Sequence, residues 1–88
     1  MLNTLKERLP EGMEIQKVKE KPSKYEITFA IDGKGITGEL PKTCAVGCQN
    51  RVVDLTIFNV MARNAINNGD LETGRMWLDK IYTNSNEG

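Results

Sequence analysis

The sequence contains no histidine. Catalytic arrangements of the Ser-His-Asp and Cys-His types, and metal centres built on imidazole, therefore cannot form within one chain. The phosphate-binding patterns GxGxxG and GxxxxGK[ST] are also missing. The acidic residues offer no pair that suggests general acid–base catalysis. These absences argue against an enzyme, and neither a cofactor nor a metal ion is expected.

Neither sign of charge is in excess, because 12 basic and 12 acidic side chains give a formal net charge of zero. A dedicated nucleic-acid binder usually carries a basic excess, since neutralised phosphates release counterions. Long apolar runs are lacking too: Asp54, Thr56 and Asn59 interrupt the most apolar stretch, 52–61, whereas a membrane span needs about 20 predominantly apolar residues. Residues 1–9 leave no room for an apolar signal segment. We therefore expect a cytoplasmic protein.

The chain has 88 residues, of which 39% are hydrophobic, which is material for one domain with one core. The order of patterns predicts an α+β fold. It has a short N-terminal helix, a three-stranded antiparallel meander and two C-terminal helices packed as a hairpin on one face of the sheet. Asn3 or Thr4 is predicted to cap the first helix, which runs to Leu9 and is stopped by Pro10. The polar tail, 83–88, is predicted to fray.

The first predicted strand, Met13 to Glu20, is only partly amphipathic. Met13 and Ile15 share one face, and Val18 joins them only if a β-bulge near Gln16–Lys17 restores the phase. The second strand has strict alternation of apolar and polar residues, the pattern of a strand with one buried face. Its apolar positions are Tyr25, Ile27, Phe29 and Ile31.

The segment Asp32-Gly33-Lys34-Gly35 supplies residues that tolerate positive φ, as a tight hairpin requires. A short third strand follows with Ile36, Gly38 and Leu40, and Pro41 ends it. The Gly33-x-Gly35 pair resembles half of a phosphate loop, but it lies between two strands. We therefore interpret it as turn chemistry.

Asn50 is predicted to cap a long helix, Arg51 to Asn68, which Gly69 terminates. Apolar residues cover more than one side of this helix, which predicts that it is covered on two sides. One stripe consists of Val52, Leu55, Phe58, Ala62, Ala65 and Ile66, and Val53, Ile57, Val60 and Met61 extend it. Asp70 is predicted to cap the last helix, Leu71 to Tyr82, and the small residues Ala65 and Gly74 would let the two helices approach closely. The helical i, i+3, i+4 pattern of this segment consists of Leu71, Gly74, Leu78, Ile81 and Tyr82.

Cys44 and Cys48 lie four residues apart in a predicted loop, 42–50. A structural zinc site normally needs a complete set of four ligands, so only a dimer with two such pairs could form one. A thiol–disulfide active site would favour CxxC beside a βαβ pattern. We interpret the pair as reduced, partly buried thiols that pack as small apolar groups. A redox pair and an intersubunit metal site remain as alternatives.

Four lysines surround the first turn: Lys17, Lys19, Lys21 and Lys24. The first three would project from one face of a strand, as a phosphate-binding stripe does, but lysines also protect edge strands from aggregation. The order of helix, three strands and helix resembles the double-stranded-RNA-binding domain in outline. That family has a long first helix and a lysine-rich start to its second helix, where this chain has Val52-Val53-Asp54. The resemblance is therefore one of element order alone.

The missing catalytic groups and the broadly apolar helix favour a non-catalytic protein-binding module. Its partner would be another protein or a second copy, and chains of this type often serve as inhibitor or adaptor proteins of phages and other mobile elements. Trp77 is predicted at the margin of the core, and it becomes an interface anchor if it is exposed. The predicted interface residues are Phe58, Met61, Trp77 and Tyr82, with Arg63 and Arg75 at the rim. The alternatives are nucleic-acid binding through Lys17–Lys24 and an oligomer that sequesters a small ligand.

Overall fold

The computed structural model describes residues 1–44 and 47–86, and for residues 84–86 only the backbone. The elements are α1 (Leu2–Arg8), β1 (Met13–Glu20), β2 (Lys24–Ile31), β3 (Lys34–Pro41), α2 (Gln49–Asn67) and α3 (Leu71–Asn86). The strands form an antiparallel sheet in the order β1-β2-β3. The predicted α+β fold is confirmed.

The predicted bulge lies in β1, where the register with β2 shifts between Ile15 and Lys17. The shift places Val18 opposite Ile27, just as Ile15 stands opposite Phe29. Because cross-strand partners in an antiparallel sheet share a face, Val18 returns to the side that carries the core. Lys17 and Lys19 point to the other side.

The β2–β3 connection is a two-residue hairpin between the paired residues Ile31 and Lys34. Asp32 has a φ of 51° and Gly33 a φ of 82°. Two consecutive positive φ values define the type I′ turn, whose twist matches that of the flanking strands. The hairpin predicted from this segment is confirmed.

The core lies between the inner face of the sheet and one face of α2, and α1 contributes Leu5 to it. Its most deeply buried side chains come from α1, from the sheet and from α2: Leu5, Ile27, Phe29, Leu40, Val53 and Val60. The face of α2 that enters the core is therefore the one we interpreted as an extension of the apolar stripe. Val52, Leu55 and Phe58 of the main predicted stripe are only half-buried. The helix α3 contacts mainly α2, so α2 has neighbours on two sides, as predicted.

The start and the end of α1 differ from the prediction. The helix begins at Leu2, with Met1 at the N-cap position and no side-chain cap, so Asn3 and Thr4 lie inside it. It ends at Arg8, because Leu9 adopts an extended conformation with φ −62° and ψ 131°. The residue before a proline avoids the helical region on steric grounds, and Pro10 therefore ends the helix one residue early.

Two contacts hold α1 in place despite its length of seven residues. Leu5 is fully buried in the core. Arg8 forms a bidentate ion pair with Asp54 of α2, with N–O distances of 2.7 and 2.6 Å. The hydrogen bonds and charge of Asp54 raise the pKa of the Arg8 guanidinium. An isolated helix of this length would be marginal in water, so these tertiary contacts supply its stability.

The N-terminus of α2 was also predicted incorrectly. Asn50 lies within the helix, and Cys48 occupies the N-cap position without a side-chain hydrogen bond. The Cys48 carbonyl accepts a hydrogen bond from the Val52 amide at 2.9 Å. A favourable cap stabilises a helix by only about 1 kcal/mol, so the cap preference of Asn50 is a weak guide to where the helix begins.

The end of α2 follows the prediction. Gly69 has a φ of 80°, and its amide donates to the Ile66 carbonyl at 3.0 Å. The next amide, of Asp70, donates to the Ala65 carbonyl at 2.9 Å. This pair of hydrogen bonds is the Schellman motif, which requires a left-handed residue that glycine adopts without a steric penalty.

Asp70 caps α3 as predicted. Its carboxylate accepts hydrogen bonds from the Thr73 hydroxyl at 2.7 Å and from the Thr73 amide at 3.1 Å. These hydrogen bonds, that of the hydroxyl first, lower the pKa of Asp70. The helix continues to Asn86 rather than ending at Tyr82, and fraying of the tail stays a prediction. Residues 87 and 88 of the predicted tail lie outside the described residues.

We expect Asp70→Ala to lower the midpoint of thermal unfolding at neutral pH by a few degrees, because it removes this cap. The folded pKa of Asp70 lies below its unfolded value, so its ionised form stabilises the protein above about pH 4. That contribution is lost as the pH falls through the folded pKa. Asp70→Asn is the matched control, since asparagine caps a helix but does not titrate. The difference in midpoint between wild type and Asp70→Asn, followed by circular dichroism, should shrink on acidification; a constant difference would contradict the assignment.

Candidate protein-docking surface

The inner side of α3 packs closely against α2. A Cβ atom at Gly74 would lie 2.7 Å from Cγ1 of Ile66 and 3.6 Å from the Ala62 carbonyl oxygen. The predicted close approach of the two helices is therefore found, with Ile66 and Ala62 as the neighbours of Gly74. Farther along the helix, the rings of Trp77 and Phe58 meet with their centroids 5.5 Å apart.

A second face of α3 points away from α2 and is largely apolar. Leu71, Leu78 and Tyr82 are 68%, 48% and 71% exposed, and Arg75 lies exposed between them. We call these four residues the α3 stripe. Their spacing of i, i+4, i+7 and i+11 places them along one side of a helix. Ile66 of α2, 42% exposed, adjoins the stripe through its contact with position 74.

The clustering of these side chains sets the α3 stripe apart from the rest of the surface. The large hydrophobic side chains that are exposed in the described chain are Val18, Ile66, Leu71, Met76, Leu78 and Tyr82. Single exposed apolar residues are normal on any protein. Four of these six, however, lie on or beside the stripe, and contiguous apolar patches mark interaction sites.

The structure does not gather the predicted interface residues into one surface. Tyr82 and Arg75 belong to the α3 stripe. Met61 is half-buried and packs against the core. The guanidinium of Arg63 donates a hydrogen bond to the Thr37 carbonyl at the edge of β3. Trp77 is half-buried and packs against Phe58, which itself contacts the core.

Sequence reasoning missed Leu71 and Leu78 as surface residues, because it grouped both with Gly74 and Ile81 in one pattern of helical spacing. The inner face uses Gly74, Trp77 and Ile81 instead. The spacing does contain a signal for exposure, because Leu71 and Leu78 lie on the same side of the helix as Arg75 and Tyr82. Arginine is rarely buried without a partner, so its phase marks the solvent side.

Phe58 and Trp77 are already engaged within the chain. The Lys80 ammonium lies 6.0 Å from the Phe58 ring centroid and 5.5 Å from that of Trp77. A cation at this distance from an aromatic face is attracted by the ring quadrupole. The two rings and Lys80 therefore form a small cluster that joins α2 to α3, and Arg75 of the α3 stripe lines the same pocket as Phe58 and Lys80.

Comparison of the chain with protein-family models, curated proteins and solved structures finds no match. Function must therefore be inferred from the surfaces of the chain itself.

A groove of about 410 Å³ runs between β3 and α2. The edge carbonyls of β3 face this groove and are bonded to α2: Thr37 accepts from Arg63, and Glu39 accepts from the Thr56 hydroxyl at 3.3 Å. Pro41, at the end of the strand, has no amide hydrogen to donate. Side-chain caps and a terminal proline protect an edge strand from pairing with another strand.

The open face of the sheet, opposite the core, carries the lysines predicted as a basic stripe. Lys17 stands opposite Thr28 and Lys19 opposite Glu26. Lys24 forms an ion pair with Glu39, whose hydrogen bond and charge raise the pKa of Lys24. The Lys21 ammonium lies 4.0 Å from the Glu26 carboxylate. This face therefore has mixed charge.

Cys44 and Cys48 both have half-buried, free thiols; residues 45 and 46 between them lie outside the described residues. In the described part of the chain, no three or more Cys, Asp or Glu side chains are grouped as metal ligands. None of the described helices combines the length and apolar character needed to cross a bilayer.

Proposed function

We propose that this chain is a non-catalytic protein-binding module that docks through the α3 stripe. The observation that carries the proposal is the joint exposure of Leu71, Leu78 and Tyr82 along one helix face. Removing apolar surface from water is favourable by about 25 cal/mol per Å², so a partner that covers these side chains gains free energy. Tyrosine and arginine are both enriched among the residues that dominate binding energies.

The packing of α3 suits it to this role. Its inner side rests on α2 through Gly74 and Trp77, and Asp70 caps its first turn. The α3 stripe takes no part in the core. A partner would therefore meet a helix that is already ordered, with little conformational entropy lost on binding. Helices that dock against a protein present apolar anchors at i, i+3, i+4 and i+7 spacings along one face, and seven and four residues separate Leu71, Leu78 and Tyr82.

The two alternative functions receive less support. Lys21 and Lys24 pair with Glu26 and Glu39 on the open sheet face, which weakens the attraction of that face for phosphates. A small ligand in the groove beside β3 would find the carbonyls of Thr37 and Glu39 already bonded. We also propose that the protein is cytoplasmic, because the free thiols of Cys44 and Cys48 suit a reducing compartment.

A photo-crosslinking amino acid of the benzoylphenylalanine type at position 82 tests the proposal. We expect irradiation of cells that produce the protein to yield a covalent protein adduct, because Tyr82 is 71% exposed on the α3 stripe. The double substitution Leu71→Ser/Leu78→Ser should abolish the adduct without altering the circular dichroism spectrum. The adduct is measured by immunoblotting and identified by mass spectrometry.

The matched control is the same cross-linker at Met76, which is 46% exposed on another side of α3. It should give no such adduct. Equal adducts from both positions, or none from position 82, would contradict docking through the α3 stripe.

A further inference from the structure

We propose that the partner of the α3 stripe is a second copy of this chain, bound with the two α3 helices antiparallel across a two-fold axis. This inference rests on the proposed function and names the occupant of that surface. Symmetric dimers use the same patch on both subunits, so the patch must be complementary to itself. The α3 stripe can be tested for this property residue by residue.

The spacing of the α3 stripe fits antiparallel self-pairing. When two antiparallel helices are aligned so that Leu71 faces Tyr82 of the second copy, Arg75 faces Leu78 of the second copy in the same register. The two-fold axis then passes between residues 76 and 77. Each apolar end covers the other apolar end, and the aliphatic part of each Arg75 lies along a leucine, as long basic side chains often do. All four residues are thus used in one alignment.

The charges of α3 fit the same alignment. Asp79 follows Leu78, so the guanidinium of Arg75 in one copy comes within reach of the Asp79 carboxylate in the other. The symmetry produces this contact twice. Within the described part of the chain, neither residue takes part in an ion pair, and both are exposed. The chain's net charge of zero adds no overall repulsion between copies.

The size of the surface sets the strength of the pairing. Stable complexes bury about 1,200–2,000 Å² in total, and smaller interfaces belong to weak or transient complexes. The α3 stripe with Ile66 offers four apolar side chains and one arginine per copy, which places it at the lower end. We therefore expect a dissociation constant of about 10–100 µM, with dimers at high concentration and monomers at low concentration.

Sedimentation equilibrium of the full chain between about 5 µM and 1 mM tests this inference. Wild type should shift from a 9.9 kDa species to twice that mass. Leu78→Arg should weaken the pairing at least about tenfold, because it places a second guanidinium opposite Arg75 of the other copy and removes an apolar contact. Met76→Arg introduces the same charge on another side of the same helix and should behave as wild type. Circular dichroism of each variant verifies that α3 still folds.

A charge exchange tests the antiparallel register itself. Arg75→Glu and Asp79→Arg should each weaken the dimer severalfold, since each leaves two like charges facing across the interface. The double variant Arg75→Glu/Asp79→Arg restores opposite charges and should recover most of the wild-type affinity. A dimer that both single variants leave intact, or that the double variant fails to recover, overturns this register.

If the wild-type chain stays at 9.9 kDa up to the highest concentration, the inference that the partner is a second copy is wrong. A dimer whose affinity Leu78→Arg leaves unchanged also overturns it. The cross-link at position 82 separates this failure from that of the proposed function. An adduct with a different protein would retain docking through the α3 stripe, whereas an adduct of twice the chain's mass supports self-pairing.

Discussion

Gly38→Ala is expected to lower the free energy of unfolding by about 1–3 kcal/mol, although alanine normally suits a strand better than glycine. A Cβ atom at position 38 would lie 2.5 Å from Cγ2 of Val60 and 3.3 Å from Cε2 of Phe29. Neither neighbour can yield easily: valine has one strongly preferred rotamer in a helix, and Val60 and Phe29 are fully buried. The helix α2 must therefore move away from β3. Urea unfolding followed by circular dichroism measures the change.

Two further variants isolate this cause. Gly35 lies in the same strand, and a Cβ atom there would have its nearest neighbour at 3.5 Å, which is an ordinary contact. Gly35→Ala should therefore leave the free energy of unfolding unchanged. In the double variant Gly38→Ala/Val60→Ala, the smaller helix residue leaves space for the new methyl group. Its destabilisation should be clearly smaller than the sum of the two single effects. Equal effects of Gly35→Ala and Gly38→Ala would show that close packing of α2 is not the reason for glycine at position 38.

Leu5→Ala is expected to lower the free energy of unfolding by about 2–5 kcal/mol. Leu5 is the one residue of α1 that is fully buried, and it lies in the same core as Phe29 and Val53. The substitution leaves a cavity and removes the main apolar contact that holds a seven-residue helix in place. The amides of α1 should then exchange with solvent far faster than those of α2, which hydrogen-exchange mass spectrometry measures. For a domain of 88 residues, with a total stability of roughly 4–13 kcal/mol, this loss could unfold much of the population.

Leu2→Ala is the matched control, since Leu2 is on the same helix but only half-buried. Leu2→Ala should lower the free energy of unfolding clearly less than Leu5→Ala does, because hydrophobic stabilisation is proportional to the apolar area removed from water. Equal costs for the two leucines would contradict the placement of Leu5 at the end of the core.

The strands and turns were predicted well because their signals are local. Alternation along 25–31 indicated which face of β2 is buried, and the out-of-phase Val18 indicated a bulge that the register of β1 confirms. The backbone has a positive φ at Asp32, Gly33 and Gly69. At Asp70, the side chain accepts a hydrogen bond from a backbone amide of the helix that follows. These requirements are met by the residue itself and its immediate neighbours.

The helix N-termini and the inner face of α2 were predicted less well. Cap preferences placed the starts of α1 and α2 at Asn3 or Thr4 and at Asn50, yet both helices begin earlier. The preference of a single cap is worth only about 1 kcal/mol, so it fixes the start of a helix weakly. Apolar residues surround much of α2, so periodicity alone could not decide which side meets the sheet and which meets α3.

The candidate docking surface depended most on tertiary structure. Arg75 and Tyr82 were predicted as interface residues, but Leu71 and Leu78 were only grouped with Gly74 and Ile81 in one pattern of helical spacing. The orientation of α3 follows from Gly74, where a side chain would collide with Ile66. Once that contact is made, Trp77 turns toward Phe58 and the α3 stripe turns toward solvent.

The sequence by itself therefore determined the order of the elements, the hairpin, the helix ends at Gly69 and Asp70, and the absence of histidine chemistry. These properties depend on steric and hydrogen-bonding preferences within a few residues of each position. Only the tertiary structure decided which side of α2 is the core and which leucines of α3 remain exposed. Those outcomes depend on contacts between residues far apart in the chain, such as Gly38 with Val60, whose close approach is not encoded in any local pattern.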